Sequence, residues 1–284
     1  MQPALCARLP DGRLHCQHGP IDLLIEAWGE ALEVERAYAQ AEARFASILA
    51  ELVAELPALR TPVGVEAPEL SGAVAQRMAA AVWPHRAVFV TPMAAVAGAV
   101  ADEVLAALLR GCRLSKAIVN DGGDIAFHLA PGASLATGIV ANIAAPALDA
   151  LSSIDAASPV RGIATSGWRG RSHSLGIADA VTALARSAAA ADAAATLIAN
   201  ATNVEHPRIS RVPARSLRED SDLGDRLATV DVPPLPPAAI DAALGAGAAC
   251  AERMRAAGLI EAALLVLQGR RRGVHTAAAL GRAA

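Results

Sequence analysis

Three short polar stretches carry side chains that could do chemistry. The first is Asn120-Asp121-Gly122-Gly123-Asp124, set between two apolar runs. Asn, Asp and Gly accept positive φ at little cost, so the stretch reads as a tight turn joining two strands. Adjacent glycines leave the backbone open to a ligand, and Asp121 and Asp124 flank that bare surface. The second is Thr165-Ser166-Gly167, which ends an apolar run and is followed by Arg169, Arg171 and His173. Hydroxyls, backbone N–H groups and guanidinium groups together suit an anion such as a pyrophosphate. The third is Asp192 with Thr196, four residues apart in a predicted helix and so on one face. A carboxylate and a hydroxyl one turn apart can hold one hard cation with help from a backbone carbonyl and water. Each stretch also has a plain structural explanation: a hairpin turn, an arginine-bearing loop, a capped helix start. His15 and His18 could bind metal or phosphate, but no carboxylate partner is in view, and surface polar groups are the plainer reading.

The elements that must position these groups alternate between strand and helix. Residues 13–28 read as a hairpin whose turn is His15-Cys16-Gln17-His18-Gly19-Pro20. In 31–56, Tyr38, Phe45, Ile48, Leu49, Leu52, Val53 and Leu56 recur at helical spacing, and Pro57 ends the run. Ser71 is placed to cap a helix reaching Val82, with Pro84 closing it. Residues 87–90 read as a short buried strand. A helix over 94–109 follows, with a face of Ala94, Ala97, Gly98 and Ala101 that has almost no bulk. Such a face admits another backbone or a flat ligand. Gly in a helix costs about 1 kcal/mol relative to Ala, so a steric reason for Gly98 is expected. Further strands are predicted at 135–143, 176–186 and 259–267, and helices at 189–200 and 237–257. Residues 146–150 and 155–159 read as loop or short helical turn, 203–237 as irregular, 269–273 as a solvated basic turn, and 276–284 as a frayed helix.

Composition narrows the function classes. Hydrophobic residues make up 54% of the 284 and aromatics only 2%, so Ala, Val and Leu must fill a large core. With 25 basic and 28 acidic residues there is no electrostatic case for nucleic acid. The four cysteines are scattered without a C-x-x-C pair, which argues against a zinc site or a disulfide framework. The opening residues lack the charge and apolar pattern of a signal peptide, and the apolar runs are interrupted, so no membrane span is expected. A cytoplasmic protein is the default expectation, and a homodimer a fair one for so Ala-rich a chain.

Taken in order, these stretches resemble the ApbE-like superfamily, whose characterised members are FAD:protein FMN transferases. Thr91-Pro92-Met93-Ala94-Ala95-Val96-Ala97-Gly98-Ala99-Val100-Ala101-Asp102 is similar to that family's D-L-G-G-I-A-K-G-Y-A-V-D. Val119 to Ile125 is similar to V-N-x-G-G-D-I. Ala164-Thr165-Ser166-Gly167 is similar to A-T-S-G, and Ala191-Asp192-Ala193-Ala194-Ala195-Thr196 to A-D-A-L-A-T. The whole chain looks closer still to a short, uncharacterised branch. The resemblance implies an α+β fold of mixed, mostly antiparallel sheets with flanking helices, in a single domain over 1–284 built from two intertwined halves. It implies magnesium held by Asp192, Thr196 and the backbone carbonyl of Val96. It implies FAD lined by Gly98, Asn120, Asp121, Gly122, Gly123, Thr165, Ser166, Gly167 and Arg171, with His173 and Asp124 as candidate catalytic groups. The family lysine falls on Ala97 and its leading Asp on Thr91. The H-I-I-D-P-x-T-G segment is shortened to His173-Ser174-Leu175-Gly176. Two other readings stay open: an enzyme using the pocket for another phosphorylated or pterin-like substrate, and a non-catalytic binding or assembly protein.

Overall fold

A computed structural model describes residues 3–139, 150–170 and 172–275. Strands β1 (Leu5–Arg8), β2 (Leu14–His18) and β3 (Ile21–Gly29) come first. Helices α1 (Ala31–Ala54), α2 (Leu56–Leu59), α3 (Ala73–Val82) and α4 (Val96–Leu109) follow. Then come β4 (Leu114–Asp121), β5 (Asp124–Leu129), β6 (Ser134–Ile139), β7 (Ala150–Asp155), β8 (Gly162–Ser166), β9 (Ala180–Ala185) and helix α5 (Ala188–Ala201). The rest is β10 (Ser210–Pro213), α6 (Ala214–Leu217), β11 (Leu227–Asp231), α7 (Pro237–Ala256), β12 (Ala262–Leu267) and β13 (Arg270–His275). Every strand pair of defined register is antiparallel, and the fold is α+β as expected. The chain divides into two compact units interleaved along it. One lies within Met1–Leu135, Ile154–Ala164 and Ala185–Asp192, the other within Ala136–Ser153, Thr165–Leu184 and Ala193–Ala284.

In the first unit the strand order is β1-β2-β3-β4-β5-β8. Alternation sets the faces: Leu14, Cys16 and His18 of β2 and Ile21, Leu23 and Ile25 of β3 point inward. Helix α4 packs on β4 and β5 on one side and on α1 and α3 on the other. Phe45, Ile48, Met78, Val104, Leu108, Val119 and Phe127 fill the space between. Among the described residues Pro92–Leu109 is the one segment long and apolar enough to cross a membrane, with mean hydropathy 1.6, but 61% of it is buried inside the protein. It also carries Glu103, which bonds Arg44 and Arg77, each at 2.9 Å. Burial opposes the charge on Glu103, yet the two arginines outweigh it and hold the carboxyl below its ordinary range. Glu103→Gln is expected to cost about 1–3 kcal/mol at neutral pH. Because the folded pKa is the lower one, that stabilisation is present above the unfolded value and is lost as pH falls through the folded value. Urea unfolding at neutral and acidic pH checks it; an unchanged difference at both would contradict it.

Several sequence expectations in this unit need correction. Residues 87–90 form no strand: Val88 is exposed, and Val90 uses its carbonyl to bind the N–H of Val63 in a loop. Ser71 does not cap α3. The N-cap is Gly72, and the Glu55 carboxylate takes the N–H groups of Ser71 and Gly72, just ahead of the helix, at 2.6 and 2.9 Å. His15 and His18 lie in β2 rather than in a turn, and His15 has a carboxylate partner, Asp22 at 3.1 Å. Cys6 and Cys16 face each other across β1–β2 and form a disulfide, leaving Cys112 and Cys250 free. A thiol reagent added to the unreduced, unfolded chain should therefore count two thiols; four would contradict the bridge.

In the second unit β9, β12 and β13 pair antiparallel, and α7 packs on β12 and β13. The β9 strand is shorter than the predicted 176–186, and the basic run opens β13 instead of forming a turn. The segment expected to be irregular holds the β10–β11 pair. Gln268 ties the proline cluster down, donating to the Pro233 carbonyl at 2.9 Å and accepting from Leu235 N–H at 2.9 Å. Of the strand expected at 135–143, the described part is Ser134–Ile139 and 140–143 lie outside the described residues; β7 begins at Ala150, where a loop is expected. The predictions for 146–149 and for the helix at 276–284 lie outside the described residues.

Candidate functional site

The Asn120–Asp124 stretch is a two-residue hairpin turn between β4 and β5, with Asp121 opposite Asp124 in the register. Gly122 and Gly123 have φ of 62° and 115°, which a residue with Cβ adopts only with strain. Asn120 Oδ1 accepts the Gly123 N–H at 2.8 Å and so closes the turn. Asp121 is buried and Asp124 partly exposed.

The carboxylate these two face is Asp192, one turn into α5. Asp192 Oδ2 accepts the N–H of Gly98 at 3.1 Å, and the Ala97 N–H also bonds its carboxylate. Those amides belong to the first turn of α4, which has no side-chain cap from its own flanking residue. Asp102, one turn further along α4, does the converse. Its Oδ1 and Oδ2 accept the N–H groups of Ala188 and Ala189, at 3.0 and 2.9 Å, where α5 begins. Each helix thus caps the start of the other. A small residue and an Asp four positions on, Gly98 with Asp102 and Ala188 with Asp192, build each half.

Gly98 makes the approach possible. A Cβ there would lie 2.3 Å from the Ala188 carbonyl oxygen. Gly162 of β8 serves the same seat, since a Cβ there would lie 2.2 Å from Ala188 N. The expected steric reason for Gly98 is therefore met by protein backbone rather than by a flat ligand.

Electrostatics mark this place. Burial, then the Asp124 and Asp121 charges, push the Asp192 carboxyl well above its ordinary range against the two N–H groups that favour its charge. Burial also raises Asp102, opposed by the Ala189 and Ala188 N–H groups. Among the described residues no three His, Cys, Asp or Glu side chains are placed to hold one metal ion together. Val96 opens α4 two residues before Gly98, and Thr196 follows Asp192 by one turn on α5.

The second unit holds the Thr165–Gly167 turn. Thr165 Oγ1 is 2.8 Å from Thr182 Oγ1, and Ser166 is partly exposed. A Cβ on Gly167 would lie 2.4 Å from the Asp179 carbonyl oxygen. Asp179 organises this region. Its carboxylate accepts from Trp168 Nε1 at 3.2 Å, Arg169 Nε at 3.1 Å and Gln268 N at 2.6 Å. Arg169 is thus engaged by the protein itself. His173 is partly exposed beside Ser174, whose hydroxyl donates to Asn200 Oδ1 at 3.2 Å. Arg171 lies outside the described residues.

Two surface hollows lie elsewhere. One of about 600 Å³ is lined by Gly64, Val65, Trp83, Pro84, Arg86 and Ala87, and one of about 390 Å³ by Asp241, Leu244 and Arg270 to Arg272. Neither includes one of the candidate site residues named from the sequence.

An antiparallel α+β chain with a Gly-Gly hairpin facing two mutually capped helix starts is the class of protein these features define. The chain belongs to the family described as AbpE bacteria, whose model matches residues 6–273, and this bears out the resemblance. Relatives include a UPF0280 protein of Methanothrix thermoacetophila, 36% identical over 138 residues, 48% of this chain and 53% of that protein. A UPF0280 protein of Methanopyrus kandleri is 35% identical over 175 residues, 61% of this chain and 68% of that protein. The chain thus spans about half the length of the first of these relatives and about two thirds of the second. Among solved structures, the apo form of the flavinyl transferase ApbE of Pseudomonas stutzeri matches with TM-score 0.49 and 15% identity over 99% of both chains.

Proposed function

We propose that the protein is a flavin-nucleotide-binding enzyme that uses a divalent cation at Asp192 to act on the pyrophosphate of FAD. The observation that carries the cation is the Asp192 carboxyl itself, desolvated and faced by Asp124 and Asp121. A hard cation would relieve that repulsion. The donors assigned to it, the Asp192 carboxylate, the Thr196 hydroxyl and the Val96 carbonyl, are all oxygens, which suits Mg²⁺. Mg²⁺ is commonly bound by one or two carboxylates plus waters and substrate phosphates. Family membership and the resemblance to the FAD:protein FMN transferases support FAD as the nucleotide.

When bound, the cation would neutralise charge that develops on the phosphoryl oxygens. The Gly122–Gly123 turn offers bare backbone to the nucleotide. In the proposed reaction the bond between the FMN phosphorus and the AMP oxygen breaks. A bond from that phosphorus to an acceptor hydroxyl forms, the hydroxyl proton leaves to a base, and AMP departs. Asp124, on the hairpin that faces Asp192, is the residue proposed for the proton. Incubation with FAD and Mg²⁺, followed by anion-exchange analysis, should give AMP in an amount that chelation abolishes. FAD bound but recovered intact, with or without a hydroxyl acceptor, would overturn the transfer step and favour a different phosphorylated or pterin-like substrate.

A further inference from the structure

We propose that Asp102 is a positioning residue for Asp192, acting through the start of α5; the inference rests on the cation role assigned to Asp192 above. Asp102 never reaches Asp192. It accepts the Ala188 and Ala189 N–H groups with its two carboxylate oxygens, at 3.0 and 2.9 Å, and so fixes the first turn of the helix that carries Asp192. Ser187 Oγ accepts the Ala190 N–H at 3.2 Å, and the floor beneath is the glycine seat of Gly98 and Gly162. A small sliding of α5 on this floor would take Asp192 Oδ2 away from the Gly98 N–H, 3.1 Å distant. It would also move the carboxylate relative to Asp121 and Asp124, which are fixed on the hairpin. The two caps therefore form one unit: Asp102 sets α5, and α5 sets Asp192 on α4. Outer residues that orient a metal ligand typically change affinity 10–100-fold when removed.

The test compares wild type, Asp102→Ala and Asp102→Asn in the full chain with two readouts. Amide hydrogen exchange without metal follows Gly98, Ala188 and Ala189, and calorimetry follows Mg²⁺ binding. In Asp102→Ala, protection should fall at Ala188 and Ala189 and also at Gly98, and Mg²⁺ affinity should fall about 10-fold or more. Asp102→Asn, which keeps one acceptor oxygen, should restore part of both. Loss confined to Ala188 and Ala189, with Gly98 protection and Mg²⁺ affinity as in wild type, would make Asp102 a local cap and overturn the proposal. If wild type binds no Mg²⁺, the cation reading fails, and the Gly98 amide alone decides whether Asp102 positions Asp192. If Asp102→Ala does not fold, Asp102→Asn is judged by the same pattern: lowered protection at Gly98 supports the proposal and wild-type protection there contradicts it.

Discussion

Asp192→Asn is expected to stabilise the ligand-free protein at pH 8 and to leave it unimproved at pH 4. The Asp192 carboxyl has a raised pKa in the folded state because it is buried and faces Asp124 and Asp121. A carboxyl with a folded pKa above its unfolded one binds more protons when folded. Its favourable contribution is complete below the unfolded value and is lost as pH rises through the folded value. At pH 8 the native state thus bears the cost of that raised pKa, as a charge it disfavours or as a proton taken up on folding. Asn keeps an oxygen for the Gly98 N–H and removes the charge. The loss of the second acceptor, toward Ala97, offsets about 1 kcal/mol of the gain. Thermal unfolding across pH 4 to 8 reads the difference. A variant less stable than wild type at pH 8 would show that the charge is already compensated in the free protein.

Gly98→Ala should destabilise the protein by about 1–3 kcal/mol, although Ala is ordinarily the better helix former by about 1 kcal/mol. The new Cβ would lie 2.3 Å from the Ala188 carbonyl oxygen and 2.7 Å from Ala189 N. Both atoms are backbone of a capped helix start, so no side-chain rotation relieves the clash. Helix α5 must lift, and Asp192 with it. Gly245, on α7, supplies the contrast. A Cβ there meets nothing closer than Arg272 Nη1 at 3.5 Å, an ordinary contact, so Gly245→Ala should stabilise by about 0.5–1 kcal/mol. Urea denaturation of both variants compares the signs. Equal effects at the two positions would contradict the close seating of α5.

What was legible in the sequence was local chemistry. The Asn-Asp-Gly-Gly turn needed no tertiary knowledge, because only such residues accept the φ values seen at Gly122 and Gly123. The α1 helix was legible from its three-and-four spacing, and the smallness of Gly98 pointed to a close contact. The contacts that depend on register were not legible. Cys6 meets Cys16 and His15 meets Asp22 only once β1, β2 and β3 pair as they do. The 87–90 run has strand-forming residues but no neighbouring strand to pair with among the described residues, and so stays a loop. Asp102 and Asp179 were not legible because their partners are set by the fold: Asp102 serves the Ala188 and Ala189 amides, and Asp179 the Gln268 amide with the Trp168 and Arg169 side chains. The four-residue spacing from Gly98 to Asp102, repeated from Ala188 to Asp192, was the available signal for the first.

The most direct test of a cation-assisted FAD site at Asp192 is the thermal shift produced by FAD with and without Mg²⁺, in wild type and in Asp192→Asn. A site filled to about 100 times its dissociation constant stabilises by about 2.7 kcal/mol, enough for a clear rise in Tm. The account predicts that rise in wild type only when FAD and Mg²⁺ are present together, and its loss in the folded variant. No shift in wild type, or the same shift in both proteins, would contradict it.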